Sequence, residues 1–460
     1  MRALLRAVLH LRLLRLAGWT CFTLALLTHV SDRHRPVVGR WSVEATATIA
    51  LALLVWLVLA FRRSNGGART SAVLFDAGLL CWGVAYLWAA LAARPNAGLI
   101  FDLNVFGSAI PGAVVLDWFA MALVFAAGMV ALWRRRLVSP SAALLVVSLG
   151  IVALLGEGAA RLHAVIFPAT EGFPTYSSAL WIRRYVTLNR AGYRDTEHSL
   201  ARPPATHRLL LVGDSYVYGI GIRSMDGRLG EQLGRDLEQS TNVRWEIVNI
   251  SHPDRNTLDE IQMLDSSVAY RPDIVILIYV FNDIDYLYRV TERSVLTEAP
   301  RSLVQIAHPV RLLYKNSFLF QELYVRFRAV TISSRGLGLP DPYADSRLLE
   351  HHVNDVAKFV AVGRTVTEVV GVAPVELRIT DDTAAARRYR AFVGAGVRQG
   401  LPIWPTDDVF RGRGIRELSV SRLDGHPNEL ANALLARALA DRVVTLCCVH
   451  ATAKRARSGS

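Results

Sequence analysis

"RLLLVGDSYVYGIG", residues 208–221, decides how this chain is read. Its apolar opening reads as a strand that breaks at Gly213-Asp214-Ser215 and gives way to a helix. A buried strand that delivers a serine to its carboxyl end, beside a helix N-terminus, is a common mounting for a nucleophile. The same tripeptide also describes a serine that merely caps the helix. Both readings stay open here. The rest of the chain has to supply a base, an acid that orients it and donors for an oxyanion.

Downstream, strands and helices alternate. "MDGRLGEQLGRDLEQ" reads as an amphipathic helix, "WEIVNIS" as a second strand and "TLDEIQMLDSSVAY" as a second helix. "PDIVILIYVFND" is nearly all apolar, as expected of a strand buried on both faces. This order predicts an α/β domain with a parallel sheet and helices on both sides. Sites in such sheets lie beyond the carboxyl ends of the strands. All three strands end on polar residues: Asp214-Ser215, Ser251 to Asn256, and Asn282-Asp283. Residues 285–350, with Tyr286, Tyr288, Tyr314 and Tyr324, read either as an insertion capping the cleft or as a helical packing element. A helix and a strand come next, in "DVAKFVAVGRTVTEVVGVAPVELRITDD". "LSVSRLDGHPNELANALLARALADRV" then passes from a short extended piece through a loop into an amphipathic helix. The tail, 451–460, has the composition of a disordered end.

Upstream the character differs. The chain has 460 residues, 52% of them hydrophobic, and a mean hydropathy of +0.28. Its longest apolar runs fall in the first third. Five reach or approach the ~20 residues that cross a bilayer core: about 12–30, 43–61, 71–93, 112–133 and 140–160. Residues 1–165 are therefore expected to be an all-α transmembrane region of about five helices. Residues 166–450 form the α/β domain. The first run carries no evident small-residue cleavage pattern and reads as an uncleaved anchor. The N-terminus and alternate loops after it hold ten arginines, and the opposite loops hold four. That asymmetry places the N-terminus in the cytoplasm and, after an odd number of spans, the α/β domain outside. Asp76 and Asp117 lie inside expected spans, either as helix-to-helix hydrogen-bonding groups or on a proton or substrate pathway.

The net charge of +13 does not indicate nucleic acid as a partner. Lysine occurs only at Lys315, Lys358 and Lys454, so the positive charge is arginine, much of it flanking apolar runs. Cys21 and Cys81 fall inside those runs, and Cys447-Cys448 are adjacent. No CxxC pair or Cys/His cluster suggests a metal, and no organic cofactor is implied.

Four blocks in order resemble those of the SGNH (GDSL-like) hydrolase superfamily, over roughly residues 180–445. They are Gly213-Asp214-Ser215, "IVNISHPDRNTLDEIQML", "YRPDIVILIYVFND" and "DGHPNELAN". "VTLNRAGYRD" (186–195) resembles the lead-in of many bacterial members. The resemblance implies a flavodoxin-like three-layer α/β/α fold with Ser215 as nucleophile, His426 as base and Asp424 as its orienting acid. The Ser215 N–H and the Asn282 amide would serve the oxyanion. The second block departs from the pattern: Asp254 stands where the family has a glycine, and no glycine occurs between Gly234 and Gly336. Asp254 keeps a backbone N–H, but its carboxylate would oppose a developing negative charge unless turned away. Function is expected accordingly: a membrane-anchored serine esterase, extracytoplasmic on the plasma (inner) membrane, removing O-acyl groups from an envelope carbohydrate or lipid. An O-acyltransferase is the neighbouring reading. A non-catalytic glycan-binding or assembly protein with a degenerate domain is the reading that Asp254 favours.

Overall fold

The computed structural model describes residues 36–38, 41–42, 72–82, 84, 111–134, 140–171, 175–287, 317–335, 341–379 and 383–458. The chain divides into two compact units, Met1–Arg184 with Ile306–Arg328, and Tyr185–Gln305 with Ala329–Ser460.

Among its described residues the first unit is helical apart from an antiparallel pairing of Pro36–Val38 with Trp41–Ser42. Its helices are α1 (Ala72–Trp82), α2 (Pro111–Arg134), α3 (Pro140–Ile166), α4 (Tyr176–Tyr185) and α8 (Phe318–Arg335) as far as Arg328. Small residues let the helices approach. Trp118 of α2 donates its indole N–H to Leu154 O at 3.0 Å, and its ring fills the space a Cβ at Gly158 would need, 2.9 Å away. Gly78 of α1 likewise admits Val124 of α2. Among the described residues one stretch, Leu144–Ile166 of α3, is long and apolar enough to cross a membrane. It covers the fifth expected span. α1 and α2 fall on the third and fourth, and the first two expected spans lie outside the described residues. Asp76 is buried in α1.

The second unit is built on a four-stranded parallel sheet of β1 (Thr206–Gly213), β2 (Arg244–Ser251), β3 (Ile274–Val280) and β4 (Val369–Val375) in the order β2-β1-β3-β4. The chain moves to one side of β1 and then to the other, so β1 and β3 flank the topological switch point where such folds place their sites. Every residue of β3 is buried, as its continuous apolar run requires. One face of the sheet packs on α6 (Leu229–Thr241) and α12 (Glu429–Ser458) through Leu233, Leu237, Leu435 and Leu439. The other packs on α7 (Thr257–Ser267), α9 (Ser346–Arg364) and α10 (Thr383–Arg398) through Leu264, Val353, Phe359 and Phe392. A single turn, α11 (Ile415–Leu418), precedes the loop that leads into α12. The three layers expected from the alternating pattern are present.

Two features differ from the linear reading of the sequence. The insertion is shared: α8 belongs to the helical unit up to Arg328, while Tyr343 and Leu349 already pack in the α/β core. The final helix also runs on to Ser458, through the tail expected to be disordered. "ATAKRAR" consists largely of good helix formers and continues a helix already nucleated by packing.

Candidate active site

The break at residues 213–215 has a separate cause at each position. A Cβ at Gly213 would meet Val217 Cγ2 at 2.7 Å and Ile278 O at 3.1 Å, so only glycine lets the chain turn this close to β3. Asp214 caps the short helix α5 (Ser215–Tyr218), its carboxylate accepting from Tyr216 N at 3.0 Å. The cap is thus Asp214 and not Ser215. Gly219 closes the turn in the left-handed region at φ 75°. Arg194, from the lead-in segment, holds the chain beyond this turn: its guanidinium donates to the carbonyls of Gly219 at 2.6 Å and Ile222 at 2.7 Å. Burial lowers the Arg194 pKa to about 10, which leaves it charged at neutral pH.

His426 and Asp424 meet on the loop before α12. The imidazole Nδ1 hydrogen-bonds Asp424 Oδ1, which also accepts from the His426 backbone N–H at 3.1 Å. Asp424 is fully buried, while the His426 side chain is 24% exposed. A bridge between Ser419 and Pro427 and the Asn428 amide, which donates to Glu417 O at 2.7 Å, fix the loop. Burial lowers the His426 pKa, but the Asp424 charge, their hydrogen bond and the Asp214 charge outweigh it, so the imidazole is held above its ordinary value. The Tyr216 ring meets the imidazole edge to face at 5.9 Å.

The Ser215 hydroxyl donates to Asp214 Oδ2 at 3.1 Å, and no hydrogen bond joins it to His426. The same Asp214 oxygen accepts from the Asn282 amide at 3.4 Å. Ser215, Asn282 and His426 are therefore linked through Asp214, two by hydrogen bonds and the third by charge. Asp254, in the turn from β2 to α7, has φ 60°, the left-handed backbone that favours glycine. It lies beside an α7 start fixed by a capping box between Asn256 and Asp259.

One group escaped the sequence reading. Glu260 of α7 is fully buried, and neither of its carboxylate oxygens has a partner among the described residues. Burial, then the charges of Asp214 and Asp259, push its pKa well up. Burial and the charges of Glu260 and Asp214 do the same to Asp283. The signal was present in the sequence: Thr257, Glu260 and Leu264 share one helical face, and that face is buried. Among the described residues no group of His, Cys, Asp or Glu is arranged to hold a metal ion.

A serine at the end of β1, an asparagine at the end of β3 and an aspartate–histidine pair before the last helix lie on one parallel three-layer fold. No family model matches the chain, and no curated protein matches it. Similar solved structures include a goat rumen metagenome lipase, Lip_vut3, at 12% identity and TM-score 0.33, covering 51% of this chain and 95% of that chain. TesA matches at 14% identity and TM-score 0.31, over 51% of this chain and 96% of that chain. A lipase/acylhydrolase from Enterococcus faecalis matches at 13% identity and TM-score 0.29, over 52% and 95%.

Proposed function

We propose that the protein is a membrane-anchored SGNH-type serine hydrolase that removes, or transfers, O-acyl groups on an extracytoplasmic carbohydrate or lipid. The observation that carries this reading is the His426–Asp424 pair, its imidazole raised in pKa and under the influence of the Asp214 charge beside Ser215.

In this mechanism the Ser215 side chain rotates about χ1 from Asp214 toward His426, whose Nε2 takes its proton. The Ser215 oxygen attacks the ester carbonyl carbon, and the carbonyl π electrons move onto its oxygen. The N–H groups of Ser215 and Asp254 and the Asn282 amide are the donors for that oxyanion. Each is worth roughly 10²–10³ in turnover by comparison with other hydrolases. Collapse expels the alcohol, which His426 protonates, and leaves an acyl-serine. Water, or an acceptor hydroxyl in a transferase, then gives its proton to His426 and attacks the acyl carbon, releasing Ser215. Asp424 keeps the Nδ1 proton in place and stabilises the imidazolium in both halves. The membrane-facing substrate class is supported by the apolar length of α3 and the arginine asymmetry of the loops.

A second reading is favoured by one observation, the donation of the Ser215 hydroxyl to Asp214. It is a binding domain in which serine is not activated. Labelling of membranes with a fluorophosphonate probe separates the two. The catalytic reading requires labelling of the wild type and its loss in both Ser215→Ala and His426→Ala. An unlabelled, folded wild type overturns it.

A further inference from the structure

Glu157 and Arg161 stand one turn apart on α3, in the stretch apolar enough to cross a bilayer. Both are buried, on the side of the helix opposite the strongly exposed Leu144, Val152, Leu155 and Leu162. The Glu157 carboxylate uses all of its acceptor positions. Oε1 accepts from Arg161 Nε at 2.7 Å and Phe318 N at 3.0 Å. Oε2 accepts from the Ser317 hydroxyl at 2.7 Å and Leu319 N at 3.1 Å. Three of these four donors belong to the start of α8, so a carboxylate of α3 caps a helix distant in sequence. The Arg161 guanidinium lies 5.1 Å from the centre of the Phe318 ring, and the Tyr176 ring stacks on that of Phe318 at 4.4 Å.

The distances fix the level of this clasp. Leu144–Ile166, 23 residues, measures roughly 34 Å at 1.5 Å per residue, against about 30 Å for a hydrocarbon core. Glu157 lies nine residues before Ile166, about 14 Å inside its end. A charge at that depth is costly unless it is paired; here the two charges pair with each other and the carboxylate is also held by three donors at the start of α8. The other face of α8 is apolar: Leu323 is 59% exposed and Phe327 66% exposed. Next to them Arg326 pairs with Glu322 at 2.6 Å, about 12 Å along the helix from Phe318. The charged pair is thus about as far from the clasp as the end of the span, the level at which a long cation reaches the headgroups.

We propose that the first half of α8 lies in the apolar layer of the bilayer beside α3, with Leu323 against acyl chains and the Glu157–Arg161 pair holding the helix start there. The proposal rests on the membrane-anchored reading above, and its test keeps the two apart. The full chain, with its four cysteines replaced by serine, would carry a single cysteine at Val152, Leu323 or Val397, be labelled with an environment-sensitive fluorophore and be reconstituted in phosphatidylcholine/phosphatidylglycerol vesicles. Val397, exposed on α10 of the α/β domain, is the water-facing control. Quenching by lipid-borne nitroxide at Val152 and Leu323, but not at Val397, is the expected result. Quenching at Val152 without quenching at Leu323 overturns the proposal and leaves the anchored reading intact, with Leu323 then facing water or another protein. Quenching at neither removes both. In a second arm, Glu157→Ala is expected to release Leu323 from the quencher while Val152 stays quenched. Unchanged quenching at Leu323 overturns the role given to the clasp.

Discussion

The replacement Asp424→Asn tests the site most directly. Asp424 is fully buried, and its Oδ1 accepts from both the imidazole and the backbone N–H of His426. Asparagine keeps the shape and one acceptor oxygen, so the loop bridged at Ser419 and Pro427 should survive. The negative charge goes. Loss of the orienting acid in hydrolases of this kind costs about 10⁴ in turnover, which corresponds to ~5.4 kcal/mol of transition-state stabilisation. The pH dependence should move as well. In the wild type the imidazole is held above its ordinary value, so reactivity should rise with pH through a midpoint above about 6.5. Without Asp424, burial, which lowers the pKa, is opposed only by Asp214, and the midpoint should fall. The assay is the initial rate of fluorophosphonate labelling across pH, with thermal unfolding as the check on folding. A labelling rate within about tenfold of wild type, or a midpoint that fails to fall, would refute the role given to Asp424.

Four other substitutions, at three positions, probe the backbone and the buried charge. Asp254→Gly should leave thermal stability nearly unchanged and raise turnover, because the backbone at φ 60° is retained and the carboxylate is removed. Asp254→Ala should lose about 1–2 kcal/mol, and an alanine variant as stable as the glycine variant would contradict the backbone argument. Glu260→Gln should melt higher than wild type at neutral pH. The buried carboxyl has a raised folded pKa, so its native protonation is a gain that fades as pH rises above about 4.3, the ordinary glutamate value. Scanning fluorimetry should show the wild type losing stability over that range and the glutamine variant flattened; a glutamine variant that melts lower at pH 7 excludes this account. Gly213→Ala forces a Cβ to 2.7 Å from Val217 Cγ2. It should cost about 1–3 kcal/mol in denaturant unfolding, with no effect if the turn can relax.

The sheet could be read from the chain because its strands are written in full. "RLLLV" and "DIVILIYV" are continuous apolar runs ended by polar residues, and in a parallel sheet buried on both faces that pattern has few other readings. Asp254 was legible as a departure, standing where the resembled block has a glycine, but its left-handed backbone at φ 60° came only with the structure. Glu260 was harder to see. One acid in "TLDEIQML" looks like solvated surface until the packing of α7 shows which face is covered. The allegiance of α8 was not legible at all. "SFLFQELYV" announces an apolar face, but periodicity does not name the surface that covers it. The capping partner at Glu157 is 160 residues from Ser317 in the chain.

That long-range cap has a practical bearing on how the protein can be dissected. A truncation that begins after α3 looks like a natural way to free the α/β domain from the helical unit. It would instead remove the acceptor for Ser317, Phe318 and Leu319 and take the Arg161 guanidinium away from the Phe318 ring, baring an oily, uncapped helix in the middle of the remaining polypeptide. An isolated α/β unit would need two excisions, with residues 306–328 bridged by a short polar loop as well as the N-terminal cut.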